Sequence, residues 1–406
     1  MSAAAISFIT VIGASPTPTG APTPTPARAS SDRVAPASDS QPRPYDDFKF
    51  LTVDECRKQL AGVVYTGEEL RGYTVNHFQW CAWSDVRVKL KNLKGEEINR
   101  LYYRVTVLGS GQETDRSVTV HLYFDDVSWR YGTNFNPDTI FLKFTPQCFL
   151  NDKGGNCAFR PAPSGPMPLS SLSGNVLTYE LYSEQTVKGD NPYAIMQGTL
   201  SLGQFVTTTI PDTLPIAPQR YSQVIRCDSA NLDPVGTKQM HTPACIFPDA
   251  QPVLNFNIND ESIDESAQHI RDAQNNPAAM IPQPEDGSTK TIPNLLTRHW
   301  DEDLKKDQRN KSVATCLNKI GPRPTGTDCD EFPFATTMEG SLALPLPNYD
   351  YSVRYITSRD NQRSGCWLGK WYTKDRLLPG DKFTVHIFDG PVVTQEDPVP
   401  GDCPVE

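Results

Sequence analysis

The chain has 406 residues, more than one ordinary core can use, so two folded domains joined by linkers are expected. Its formal net charge of −10 argues against broad binding of polyanions over the whole surface. With 37% hydrophobic residues, a mean hydropathy of −0.47 and no run approaching the ~20 apolar residues of a bilayer helix, a membrane span is excluded as an expectation.

In chain order, Ala3 to Ala14 is a short apolar stretch ending in small residues, and residues 1–14 are read as a signal or leader segment. Residues 15–45 are rich in Pro, Thr, Ser and Ala and almost free of large apolar groups, the composition of an extended tether. From 46 to 258 the pattern is β. Leu51–Leu60 suits a short helix, after which Val86, Val88 and Leu90 alternate with Arg87 and Lys89. Leu101, Tyr103, Val105 and Val107 alternate in the same way, as do Val118, Val120, Leu122 and Phe124. Short period-two runs between turn clusters, with no helical pattern among them, point to an antiparallel β-sandwich. Val253–Ile258 reads as its last strand.

Composition changes near Asp260, and residues 259–390 read as a second, α+β domain. Glu261–Gln274 suits a helix, Asn275–Ile292 a Pro/Asn/Gly-rich loop and Leu295–Asn318 another helix. Strands are expected at Phe334–Thr337 and Tyr351–Ile356, a helix at Gly365–Lys374 and a closing strand at Phe383–Ile387. Residues 391–406 form a tail held by Cys403.

The ten cysteines contain no CxxC pair and no zinc-finger spacing with histidine, which argues against a structural zinc site. An even count in loosely spaced neighbours reads as five disulfides, hence an oxidising, extracellular setting. Sequence leaves the connectivity open. The simplest pairing joins Cys56–Cys81, Cys148–Cys157, Cys227–Cys245, Cys316–Cys329 and Cys366–Cys403.

Chemistry concentrates in the last quarter. Asp328-Cys329-Asp330-Glu331-Phe332-Pro333-Phe334-Ala335 puts three acids within four residues. Such a cluster suits a solvated turn or a loose Ca²⁺ loop, or else a site where a cation or a proton transfer uses it. Asp360-Asn361-Gln362-Arg363-Ser364-Gly365-Cys366-Trp367 adds an amide and a guanidinium, groups able to hold a hydrated metal and a phosphate. Residues 291–390 carry 14 Lys and Arg against 13 Asp and Glu, so this region is neutral within an acidic chain.

Residues 328–387 resemble the NucA/NucB family of secreted bacterial deoxyribonucleases. The shared pattern is Asp328-x-Asp330-Glu331-aromatic-Pro333-x-Ala335, Glu339-Gly340, Asp360-Asn361, Gly365-x-Trp367-x-Gly369, Gly380-Asp381 and the strand Phe383–Ile387, with a weaker upstream piece at His269-Ile270-x-Asp272-Ala273. The resemblance implies a ββα-metal (His-Me finger-like) nuclease domain that hydrolyses DNA phosphodiesters with low sequence specificity, using Mg²⁺ or Mn²⁺. It assigns Asp330 the role of general base in place of the usual histidine. Like charge from Asp328 and Glu331 would raise its pKa toward neutrality. Asn361 becomes a metal ligand, Glu331 a catalytic group that ligates or orients the metal, and Glu339 a supporting metal ligand from the hairpin. Arg363 would clamp the phosphate, although Gln362 stands where the family commonly has that arginine.

Trp367 and Trp371, four apart on the expected helix, read as core packing more readily than base stacking. Asn310-Lys311-Ser312 fits a glycosylation acceptor. The sandwich is left as a surface- or inhibitor-binding module, with the tether leaving the nuclease free to swing. The competing reading is a secreted binding protein with a degenerate nuclease-like domain. A polysaccharide hydrolase would share the two-carboxylate chemistry, but the motif order does not suit it.

Overall fold

A computed structural model describes residues 51–61, 69–129, 136–150, 156–162, 165–184, 193–216, 220–230, 243–342, 350–391 and 403. The expected leader (1–14), the tether (15–45) and most of the tail fall outside them. Residues Pro44–Glu406 form one compact unit.

Helix α1 (Val53–Gln59) opens it. Thr52 accepts from the Glu55 amide, the Glu55 carboxylate accepts from the Thr52 amide, and the first turn is thereby capped from both sides. The strands that follow are β1 (Glu69–Leu70), β2 (Tyr73–Asn76), β3 (Gln79–Asn92), β4 (Glu97–Gly111), β5 (Ser117–Trp129), β6 (Ile140–Leu150) and β7 (Asn156–Arg160). Then come β8 (Met167–Pro168), β9 (Val176–Glu184), β10 (Met196–Thr208), β11 (Thr213–Ile216), β12 (Arg220–Asp228) and β13 (Ala244–Ile246). One sheet runs β11-β3-β4-β5-β9-β7 with β2 on β3; the other runs β1-β12-β10-β6-β8 with β13 on β12. The alternation seen in sequence sets which side chains point inward. Val88, Val105 and Leu122 from one sheet and Leu142, Leu200 and Ile225 from the other share one core.

The C-terminal half has its own core, in which Phe256, Ile270, Phe332, Trp367, Trp371 and Phe383 take part. Its elements are β14 (Val253–Asn257), α2 (Asp264–Asn275), β15 (Leu295–Thr297), α3 (Glu302–Thr315), β16 (Thr327–Phe332), β17 (Ser352–Thr357), α4 (Ser358–Lys374) and β18 (Lys382–Phe388). β18 lies between β14, to which it is parallel, and β15, to which it is antiparallel, while β16 and β17 form an antiparallel pair followed directly by α4.

Several expectations are corrected. Val253–Ile258 is not the last sandwich strand: buried Leu254 and Phe256 pack in the C-terminal core, so the boundary precedes 253. Phe334–Thr337 is a turn, and the strand is the acidic run itself. Pro333 has no amide to extend the ladder, so β16 ends at Phe332. Leu295–Asn318 is not one helix; Leu296 is buried beside β18, and Asp301 caps α3 by accepting from Leu304.

All five pairs of neighbouring cysteines form disulfides. Among the described residues, no helix is long and apolar enough to cross a membrane. The two halves are joined by buried charge. The Arg226 guanidinium of β12 donates to both Asp381 oxygens at 2.7 Å and to the Arg376 carbonyl at 2.7 Å. Arg376 in turn donates through Nε to fully buried Asp228 at 3.0 Å, and His77 donates to the Asp375 carbonyl at 2.6 Å. This corrects the picture of a freely swinging nuclease, because separating the halves would break these buried, hydrogen-bonded ion pairs.

Candidate active site

Helices α2, α3 and α4 and the β16–β17 pair build the site, and α2 and α4 hold each other at their starts. Asp360 of α4 accepts from the Glu265 and Ser266 amides at 2.9 and 3.0 Å, satisfying first-turn donors of α2. Glu265 of α2 accepts from the Thr357 amide at 2.7 Å, where α4 begins. Desolvation raises the buried Asp360 carboxyl to about 6, against the opposing effect of its hydrogen bonds from Ser266 and Glu265.

This clamp sets α2 across the strands. Ser266, His269, Ile270 and Ala273 form its buried face. His269 is fully buried; its Nδ1 lies 2.7 Å from Asp330 Oδ2 on β16 and its Nε2 lies 2.7 Å from Ser352 Oγ on β17. With Asp330 ionised, the Nδ1–H tautomer satisfies both contacts, and Ser352 donates to Nε2. One carboxylate oxygen is thus fixed from behind while Asp330 lines a cleft.

That cleft, of ≈ 600 Å³, is lined by Asp328, Asp330, Glu331 and Asn361 and also by Arg298, Lys305 and Arg309, with Lys305 paired to Glu302 at 3.1 Å. Glu331 is pushed up to about 8, mainly by desolvation and further by neighbouring Asp330, with Arg309 opposing. Asp328 is paired with Arg323 at 3.2 Å. Burial lowers the Arg298 guanidinium from its ordinary value, and its plane lies 4.1 Å from the Tyr372 ring centre. Tyr372 is pushed up to about 12, again chiefly by desolvation.

Asp330, Glu331 and Asn361 are therefore brought together as the sequence suggested. The other two candidates are placed elsewhere. Arg363 donates through Nε to Ser262 at 2.8 Å and through Nη1 to the Cys403 carbonyl at 3.1 Å, and it does not line the cleft. Glu339 is buried with its oxygens accepting from the Thr297 amide at 2.7 Å and the Thr297 hydroxyl at 2.8 Å, and it too is absent from the cleft lining. Exposed Gln362 faces the cleft instead. Trp367 and Trp371 are core residues, as the helical spacing suggested.

Sequence reading gave His269 no role and passed over the cations Arg298, Lys305 and Arg309. The available signal for His269 was its place on an apolar i, i+3, i+4 face, where a buried imidazole needs two partners.

No curated protein matches the chain. Residues 287–386, which include β16, β17, α4 and the cleft carboxylates but begin beyond α2, match the family model for Deoxyribonuclease NucA/NucB, so the C-terminal region is similar to that family.

Proposed function

We propose that the protein is an exported, metal-dependent endonuclease that hydrolyses DNA phosphodiesters with little sequence preference, through a ββα-metal arrangement of β16, β17 and α4. The observation that carries this reading is that Asp330, Glu331 and Asn361 line one cleft together with the cations Arg298, Lys305 and Arg309. Five disulfides favour an oxidising location.

The donor set suits a hydrated Mg²⁺ or Mn²⁺. Among the described residues no cluster of three His, Cys, Asp or Glu forms a closed cage. Mg²⁺ needs only one or two carboxylates because it keeps most of its waters. Glu331 and Asn361 would hold the ion, which when bound would neutralise charge developing on the phosphate.

Asp330 is the base. His269 holds its Oδ2, leaving Oδ1 to take a proton from the attacking water. Ser352, by donating to Nε2, keeps the imidazole from turning. Arg309, Lys305 and Arg298 bind the phosphates on either side of the scissile bond, the part that sequence reading gave to Arg363. Glu339 orders β15 through Thr297.

The placement of Arg363 away from the cleft favours the second reading, a binding protein with an inactive nuclease-like domain. Cleavage of plasmid and of single-stranded DNA with Mg²⁺ or Mn²⁺ separates the two. Wild type should cleave in a chelator-sensitive manner and Asp330→Ala should not; a wild type inert on both substrates removes the enzyme reading.

A further inference from the structure

A site that held only a backbone phosphate would be shallow and polar throughout. This cleft is neither. Its volume of ≈ 600 Å³ is that of a pocket enclosing a small molecule. Half-buried Phe334 lines it and offers aromatic surface, whereas Lys305 is half-buried and Arg309 exposed. A phosphodiester is charged and hydrated and gains nothing from an aromatic face; the flat face of a nucleobase does.

Trp300, half-buried, also lines the cleft. Tyr193, from the loop ahead of β10 in the sandwich, meets it edge-on, with ring centres 5.1 Å apart and planes at 76°. The contact restrains the indole from the sandwich side. A base inside a duplex is stacked on both faces and cannot stack on a ring lining this cleft without leaving the helix.

We infer that the cleft takes an unpaired nucleobase, with Trp300 as its stacking surface, so that single-stranded or frayed DNA is the substrate class. The inference rests on the nuclease reading for the identity of the polymer. The cations lining the cleft hold the flanking phosphates, and the base adds binding that no duplex backbone can supply.

Fluorescence anisotropy in EDTA tests this without turnover, using the full chain and three labelled probes: a short oligothymidine, a strand of the same length built from abasic tetrahydrofuran units, and a hairpin duplex. Oligothymidine should bind at least about tenfold tighter than either of the others, the usual scale of one aromatic–base stack. Trp300→Ala should bring oligothymidine to the abasic level and leave abasic binding unchanged, while Trp300→Phe keeps most of the difference and controls for folding. Equal binding of thymidine and abasic strands, tighter binding of the duplex, or an equal loss on all probes in Trp300→Ala would overturn the inference. Failure of the nuclease reading has a separate signature: wild type binds oligothymidine but does not cleave it when Mg²⁺ or Mn²⁺ is added.

Discussion

His269 and Asp330, 61 residues apart, share a 2.7 Å hydrogen bond in which the histidine is entirely buried and the carboxylate faces the cleft. The imidazole therefore cannot meet the substrate and, on the proposed mechanism, acts by holding Asp330 in place. Asp330→Asn should lower kcat by about 10² to 10⁴-fold. His269→Gln should lower it by roughly 10- to 100-fold, the effect typical of an orienting partner, with KM little changed. Initial rates on a labelled DNA strand check both; a His269 variant with wild-type kcat would sink the assignment.

Arg363 and Glu339 should prove structural and Arg309 functional. Arg363→Ala and Glu339→Gln are expected to keep kcat within about threefold while lowering the melting temperature. Arg309→Ala should raise KM roughly tenfold, about the value of one charge-assisted contact, and weaken the salt dependence of binding. Titrating KM against ionic strength distinguishes the three.

Asp360 is a helix cap supplied by another helix. Asp360→Ala leaves two first-turn amides of α2 without their acceptor and should cost about 2 kcal/mol. Asp360→Asn, which retains an acceptor, should cost less. Urea denaturation gives both values, and equal losses would refute the capping role.

Between the halves, Arg376→Ala should destabilise by about 3 to 5 kcal/mol because it strands the buried Asp228 charge. The double replacement Arg376→Leu with Asp228→Leu should cost far less than the sum of the single changes. A double-mutant cycle in which the effects simply add would show that the pair does not interact.

Lys290 gives the pH dependence. Its ammonium is buried and donates to the Met280 carbonyl at 3.1 Å and to the Pro282 carbonyl; desolvation lowers its pKa to about 8, with Asp350 opposing. The unfolded chain keeps this proton to about 10.4. Between those values the unfolded state binds more protons, so stability rises with pH, by up to about 3 kcal/mol. Lys290→Met should flatten the difference in stability between pH 7.5 and 10.5, measured against wild type by chemical denaturation.

The sandwich strands were legible because one buried face imposes a two-residue period, and in β4 the buried residues Leu101, Tyr103, Val105 and Val107 are those the alternation marked. The cleft carboxylates were legible through their spacing. Arg363 was not, because α4 was expected to start at Gly365 and starts at Ser358. The missing start signal is tertiary: no local side chain caps Thr357, and Glu265 of α2 does so instead. With the helix begun at Ser358, two residues turn about 200°, which sends Asn361 and Arg363 to opposite sides. His269 was opaque for a related reason, since nothing nearby in the chain announces a partner 61 residues away.

The parallel pairing of β14 with β18 determines where this molecule can be divided. A fragment beginning at residue 259 would leave one edge of β18 bare and would remove Leu254 and Phe256 from beneath the helices. Anyone excising the C-terminal half should therefore start upstream of Val253, and should still expect a sticky, weakened product, because the arginine-rich seam would meet water where it now meets the sandwich.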